Sequence, residues 1–225
     1  MSTQKIMNKK LSQKFVKWQK LIERISYEVF SLNELRYVNL TVSPIINQNP
    51  KLKIKNRYWN FLFDCYATTI VINLRRQLKV DKKMESIGLA TLLNDISNFP
   101  HELSRKVLKK VYHCEKRAER VFDNYVGINK DHITVEQVKN DIDKLDKAGY
   151  KVEDFADKRI AHIDNRKPKV IPTFNEVHNC IDEMNKIFKK YRILLQGVVD
   201  VSLIPMHQND ANWLDIFKIP WNSNV

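Results

Sequence analysis

The stretch LSQKFVKWQKLIERISYEV, residues 11–29, decides the fold class of this chain. Its large apolar residues recur at intervals of four, three, four, three and four positions, at Leu11, Phe15, Trp18, Ile22, Ile25 and Val29. Because an α-helix turns once in about 3.6 residues, this spacing places them along one side of a helix. A seam of this length needs partners along its whole length, so the stretch predicts a long amphipathic helix within a bundle.

The stretch from Arg57 to Val80 is apolar on nearly every side. Its segment 67–72 is largely β-branched and would suit a strand by itself. No turn signals bracket that segment, so the longer pattern favours a central helix that its neighbours contact all round. The chain has only 4 Gly and 7 Pro, which leaves little material for hairpins and tight turns.

Other helix boundaries are marked by capping residues. A capping box pairs a Ser or Thr with a Glu or Gln three residues later, and such boxes begin at Ser31, Thr134 and Thr173. Ser86 predicts a further helix start, and Pro100 predicts the start of a basic helix that runs to about Tyr125. Gly149 predicts the end of the helix that begins after Thr134.

The sequence therefore predicts an all-α fold, an antiparallel bundle with additional helices. No linker or repeat divides the chain, so we expect a single α-helical domain over residues 1–225. From about residue 203 the chain is irregular and aromatic, with Trp213, Phe217 and Trp221. Tryptophans at a terminus are costly to leave in water, so this tail is expected to pack back onto the bundle.

The composition favours a polyanion partner. Lys and Arg number 39 against 26 Asp and Glu, a formal net charge of +13, and seven basic residues lie between 105 and 120. Such a charge attracts nucleic acid, although a basic surface can also serve only solubility. The three cysteines, Cys65, Cys114 and Cys180, lie far apart in helical patterns and read as reduced core thiols. With no apolar run long enough to span a membrane and no secretion signal, the sequence predicts a cytoplasmic protein without membrane contact.

The segment FADKRIAHID, residues 155–164, gathers charges of both signs around His162. Histidine can act as an acid or a base near neutral pH, and flanking cations can hold an anion. The alternative is an ordinary short helix with a charged outer side and an apolar inner side. The chain has no glycine-rich phosphate loop, no Gly-x-Ser-x-Gly elbow and no paired Cys or His spacing, so we expect neither a metal nor a cofactor.

This segment, Phe-x-Asp-Lys-x-Ile-Ala-His-x-Asp, resembles the HEPN superfamily, specifically its abortive-infection, AbiU-like branch. The resemblance extends to the Leu-Arg-Arg-x4-Asp exit of residues 74–81, the stretch 86–93 that follows and the closing Trp-x3-Phe-x2-Pro-Trp of residues 213–221. It implies a helical bundle that acts as a homodimer and, in many members, cleaves RNA without a metal or cofactor. The site implied by the resemblance is an Arg-x(4–6)-His pair at the dimer interface.

Carried onto this chain, the resemblance makes His162 the catalytic histidine and Asp157 the polar residue that follows the motif arginine. The arginine position is occupied by Ala156. Three explanations stay open: a naturally degenerate site, an inactivating substitution in a toxic protein, or replacement of the arginine by Arg159, three residues before His162. In the implied mechanism a ribose 2′-hydroxyl attacks the adjacent phosphate while Arg159 and Lys158 hold it.

Arg75 and Arg76 are candidate RNA contacts, or one of them pairs with Asp81 at the helix end. The sequence thus predicts a metal-independent endoribonuclease that serves as a toxin or phage-defence effector, with RNA, a second copy and an antitoxin protein as expected partners. The alternative is a catalytically silent HEPN module that binds RNA or a protein. A purely structural helical adaptor is the third reading.

Overall fold

The apolar seam of residues 11–29 forms the first half of helix α1 (Gln13–Gln48) in the computed structural model, which describes residues 11–49, 57–81, 85–160, 170–204 and 210–218. Ser12 caps this helix by accepting the Phe15 N–H at 3.1 Å. Phe15, Trp18, Ile22, Ile25 and Val29 are all fully buried, which confirms the seam.

The described ranges are mostly helical and contain no β-strand, which confirms the all-α fold class. A single bridge joins Ser104 and His132. The remaining α-helices are α2 (Arg57–Leu78), α3 (Leu89–Asn98), α4 (Arg105–Val111), α5 (Glu115–Tyr125), α6 (Val135–Phe155) and α7 (Phe174–Gln196). Two 3-10 helices, Pro100–Glu102 and Asp210–Lys218, and a π-helix, Ala156–Ile160, complete the described secondary structure.

The predicted helix start at Ser31 is wrong, because α1 continues through it to Gln48. Leu32 and Asn33 are buried there, and the Asn33 side chain donates to the Val29 carbonyl one turn earlier. The same side-chain amide pairs with Asn185 of α7 at 3.0 Å. Packing against α7 therefore keeps this segment helical, although its local sequence resembles a cap.

Helix α2 is buried mainly in its second half. Ile70, Val71 and Leu74 are buried, whereas Tyr58 and Phe61 in the first half are exposed. The prediction that neighbours contact this helix on every side is therefore wrong for its first turns. Near the end of the helix, the Gln77 side chain accepts the Leu89 N–H of α3 at 3.1 Å, and Leu78 lies against Gly149 of α6.

The basic stretch after Pro100 is interrupted where a single helix was predicted. Tyr112 leaves the helical conformation between α4 and α5, and its buried hydroxyl donates to the Ile193 carbonyl at 3.0 Å. This hydrogen bond holds the turn between α4 and α5 against α7, at the position where the basic stretch is not helical. The start at Ser86 is also wrong, since α3 begins at Leu89 after the extended residue Gly88.

The capping boxes at Thr134 and Thr173 are confirmed as the starts of α6 and α7. The predicted stop at Gly149 is wrong, because α6 passes through it to Phe155. A Cβ at this position would clash with Leu78 Cδ1, so the glycine allows α2 and α6 to approach closely. Its role is in packing and not in ending the helix.

The core lies between four long helices. Helix α6 packs against α2, α3 and α7, and α1 packs against α7, α2 and α3. The C-terminal segment returns to this bundle as predicted: Trp213 lies against Tyr37 of α1, and Phe217 stacks on Trp59 of α2. Trp221 lies outside the described residues.

The prediction that all three cysteines are core thiols is correct for one of them. Cys180 is buried, whereas Cys65 and Cys114 are exposed, so the prediction of core thiols is wrong for the latter two. Cys65 lies on α2, and Cys114 is the extended residue that precedes α5. Within the described ranges, no helix is long and apolar enough to cross a membrane.

Candidate active site at the end of helix α6

The predicted site segment continues directly from α6 as the π-helix Ala156–Ile160. A π-helix closes its hydrogen bonds over five residues instead of four, so it forms a wider turn than an α-helix. Such turns are rare and occur frequently at functional sites. The change of helix type thus begins at the predicted position of the motif arginine.

Ala156 and Arg159 point to opposite environments. Ala156 is fully buried in the core, whereas Arg159 is exposed to solvent. Residues three apart on an α-helix share one side, but the wider π turn separates these two. An arginine side chain at 156 would therefore start from the packed interior, and Arg159 is the arginine that this segment presents to solvent.

Asp157 is held by cations from another helix. Arg75 of α2 donates to one carboxylate oxygen of Asp157, and Lys79 Nζ lies 3.5 Å from the other. Among the ion pairs between described residues, Arg75 pairs with Asp157 and not with Asp81, while Arg76 donates to Asn73 at 3.4 Å and Asp81 accepts the backbone N–H of Ser86 at 2.7 Å. The fold thus brings the basic exit of α2 to the predicted site segment.

Lys158 and Arg159 differ in their availability. Lys158 pairs with Asp154 one turn earlier and is mostly buried. Arg159 forms no ion pair within the described part of the chain. Arg76 is likewise exposed. Of the predicted RNA-contacting cations, Arg159 and Arg76 are therefore the two that present their guanidinium groups to solvent.

Glu153 belongs to this cluster, although its sequence neighbourhood does not predict it. Burial raises the pKa of its carboxyl above the ordinary value, and the nearby charges of Asp146 and Asp157 raise it further. Lys79 and Arg75 oppose this shift. A carboxyl with a perturbed pKa beside a charged cluster is typical of functional sites. Only the tertiary contact with α2 distinguishes Glu153 from the other acids of α6, so no local sequence signal marks it.

His162 and Asp164 lie outside the described residues. The described part of the site consists of a buried alanine, a carboxylate held by two cations, a half-buried acid and an exposed guanidinium. This arrangement offers a positive group for a phosphate next to a group that retains a proton to higher pH than an ordinary carboxyl.

Comparison with known proteins adds no assignment to this site, because no family model, no curated protein and no solved structure matches the chain.

Proposed function

We propose that this protein is a metal-independent endoribonuclease of HEPN type that acts as a toxin or defence effector. The observation that carries the proposal is the contact between Arg75 and Asp157, residues 82 positions apart in the chain. This contact joins the basic end of α2 to the π-helical turn Ala156–Ile160, and both segments belong to the resemblance. In the sequence, Arg159 of this turn precedes His162 by three residues. The net charge of +13 supports RNA as the substrate.

In this proposal Arg159 takes the role of the motif arginine and holds the scissile phosphate. Its exposed guanidinium can bind two phosphate oxygens at once and stabilise the charge that develops on them. His162 removes the proton of the ribose 2′-hydroxyl. The 2′ oxygen then bonds to phosphorus, the bond from phosphorus to the 5′ oxygen breaks, and that oxygen leaves with a proton from solvent.

Asp157 is a positioning residue in this scheme and does not contact the substrate. Its carboxylate is occupied by Arg75 and Lys79, so it holds the π-helical turn against α2. The same contact keeps Arg75 partly buried, while Arg76 on the adjacent position faces solvent. Arg76 is therefore the better candidate of the two for a second phosphate contact.

The burial of Ala156 favours a second candidate function, an HEPN module that binds RNA without cleaving it. The motif arginine is absent, and the loss of one donor of this kind lowers turnover by about 10² to 10³. If Arg159 does not replace it, binding persists and chemistry does not. The two candidates are separated by whether the protein cuts the RNA that it binds.

The test is incubation of labelled RNA with the purified protein in excess EDTA. The wild-type protein is expected to cleave the RNA, and His162→Ala to abolish cleavage. Arg159→Ala should lower the rate constant at saturating RNA by about 10² to 10³. Arg24→Ala, which removes an exposed arginine of α1, is the matched control and should cleave as wild type does.

Circular dichroism spectra of all variants establish that they are folded. Cleavage that survives His162→Ala, or that disappears from the wild type in EDTA, contradicts the proposal. Tight RNA binding without cleavage by the wild type selects the silent module instead.

A further inference from the structure

Helices α4 and α5 form a short antiparallel hairpin with an ionic seam. Arg105 pairs with both Glu119 and Asp123, with 2.7 Å between its guanidinium and the Asp123 carboxylate, and Lys109 lies 2.5 Å from Glu119. Pairs of 105 with 123 and of 109 with 119 require the two helices to run in opposite directions. The seam thus fixes how the hairpin packs.

This seam occupies Glu119 and Asp123, two of the three acidic residues of the hairpin, while the third, Glu115, is exposed. Hydrogen bonds from Lys109 and Arg105 lower the pKa of the Glu119 carboxyl, so it stays charged and paired at neutral pH. Outside the seam Lys106, Lys116 and Arg120 are exposed, and within the described part of the chain none has a carboxylate partner within 4.0 Å. The hairpin therefore carries unneutralised positive charge on its outside.

These cations lie on one side of the hairpin. Lys106 follows Arg105 and Arg120 follows Glu119, so each lies about 100° past a seam residue. Viewed from one end, that rotation is clockwise on one helix and anticlockwise on its antiparallel neighbour, which turns both side chains to the same side. The opposite side carries the buried residues Leu108, Ala118 and Phe122.

This basic face lies far from the candidate active site. The end of α5 joins the first turn of α6 through Gln137, whose side chain donates to the Val126 carbonyl at 2.8 Å. The candidate site begins at Ala156, at the other end of α6. At 1.5 Å per residue, α6 extends about 30 Å from Gln137 to Ala156, so the hairpin and the candidate site lie towards opposite ends of this helix.

We propose that the face formed by Lys106, Lys116 and Arg120 is a second phosphate-binding surface, which docks the RNA backbone towards the end of α6 opposite the cleavage site. The inference rests on the proposed function in taking RNA as the ligand. Contacts of lysine and arginine with phosphates are independent of sequence, so this surface supplies affinity and the end of α6 supplies chemistry. A stacked strand at about 3.4 Å per nucleotide covers the ~30 Å length of α6 with roughly nine nucleotides.

The experiment compares the double variant K106E/R120E with R24E/K186E, which changes the net charge equally at exposed positions of α1 and α7. Binding of fluorescent single-stranded RNA of about 4 and about 16 nucleotides, lengths below and above the span, is measured over a range of salt concentrations. We expect K106E/R120E to bind the longer RNA at least about tenfold more weakly. The slope of log affinity against log salt should decrease by at least ~1.4, since each lost cation contributes about 0.7 for single strands.

The shorter RNA should lose much less affinity, and the cleavage rate at saturating RNA should match that of the wild type. Unchanged affinity and slope in K106E/R120E, or an equal loss in R24E/K186E, would overturn the inference. The inference would also be overturned if this face bound phosphatidylserine vesicles while K106E/R120E bound RNA as tightly as the wild type. If the wild type cleaves RNA and K106E/R120E binds it normally, only this inference fails. If no RNA is cleaved but K106E/R120E loses affinity, the docking surface stands and the nuclease proposal fails.

Discussion

Ala156 and Arg159 lie three residues apart in the same motif segment, but the fold places them in different environments. The resemblance places an arginine at 156, whereas the structure buries that position and exposes 159. A side chain that binds phosphate must reach solvent, so burial argues that Arg159 serves this role in the proposed mechanism. The wide π-helical turn rotates residue 159 away from the side of residue 156, so an arginine at 159 is exposed although 156 is buried.

Ala156→Arg is expected to destabilise the protein without increasing its activity. The new side chain would overpack the core and bring a charge into it, which costs about 3 kcal/mol or more. Thermal and urea unfolding measure this loss. Asn140→Arg, which introduces the same side chain at an exposed position of α6, is the control and should unfold like the wild type. A stable Ala156→Arg protein with higher ribonuclease activity would contradict this account.

Glu153→Gln should make the protein more stable at neutral and alkaline pH. The folded protein holds the proton of Glu153 to higher pH than the unfolded chain does, mainly because the carboxyl is half buried. Ionisation therefore costs stability as the pH rises from the unfolded pKa through the raised folded pKa, and glutamine removes that cost. Below the unfolded pKa both side chains are uncharged and the difference disappears.

The measurement is urea unfolding of both proteins at about pH 4 and about pH 8, on either side of this window. Glu23→Gln, an exposed glutamate of α1, should show no such pH-dependent gain. An identical stability difference between Glu153→Gln and wild type at both pH values would show that the effect is not linked to the proton.

Helices α6 and α7 depend on one buried carboxylate between them. Asp141 of α6 accepts from Lys190 at 2.6 Å and from the Tyr191 hydroxyl at 3.0 Å, and it is itself buried. Both partners lie on α7, so the contact fixes the register of two long antiparallel helices. Tyr191 is fully buried, and burial followed by the charge of Asp141 raises the pKa of its hydroxyl well above the usual value.

Asp141→Ala should lower the free energy of unfolding by about 3 kcal/mol, because it leaves a mostly buried ammonium group and a buried hydroxyl without their acceptor. Urea denaturation measures this change. Asp143→Ala, two positions along the same helix and exposed, should change stability by less than about 0.5 kcal/mol. Equal effects of the two substitutions would show that the buried pairing does not hold α6 to α7.

The helices that could be predicted from sequence are those with local signals. Thr134 and Thr173 cap their helices through residues three positions away, so nothing distant is needed to recognise them. Gly149 was wrongly predicted to end α6, because its small size instead leaves room for Leu78, which lies on another helix. Ser31 misled the prediction because Asn33 meets Asn185, again a contact that the local sequence does not contain.

The same limit applies to the candidate site as a whole. Asp157, Arg159 and Arg75 could be selected from the sequence as types of residue in a pattern. That Arg75 meets Asp157, that Glu153 is half buried beside them and that Ala156 faces the core all depend on how α2 packs on α6. The sequence therefore predicts which residues belong to the candidate site, and the packing determines which of their side chains are exposed.

Within the described part of the chain, two groups of exposed cations concern the proposed binding of RNA. One is the end of α6 with Arg76 and Arg159, and the other is the outer side of the α4–α5 hairpin. They lie towards opposite ends of α6, which is about 30 Å long between Gln137 and Ala156. In the proposed account the first region cleaves RNA and the second retains it, which gives the net charge of +13 a specific use.

The central claim is that this protein cleaves RNA without a metal, with the ribose 2′-hydroxyl of the RNA as the nucleophile. It is tested most directly by comparing an RNA oligonucleotide with the same strand carrying a single 2′-deoxy nucleotide on the 5′ side of the mapped cleavage site, in EDTA. The account predicts that the all-ribose strand is cut to a 2′,3′-cyclic phosphate end and that the deoxy-substituted strand stays intact at that site. Cutting of the deoxy-substituted strand at the same site and rate would contradict it.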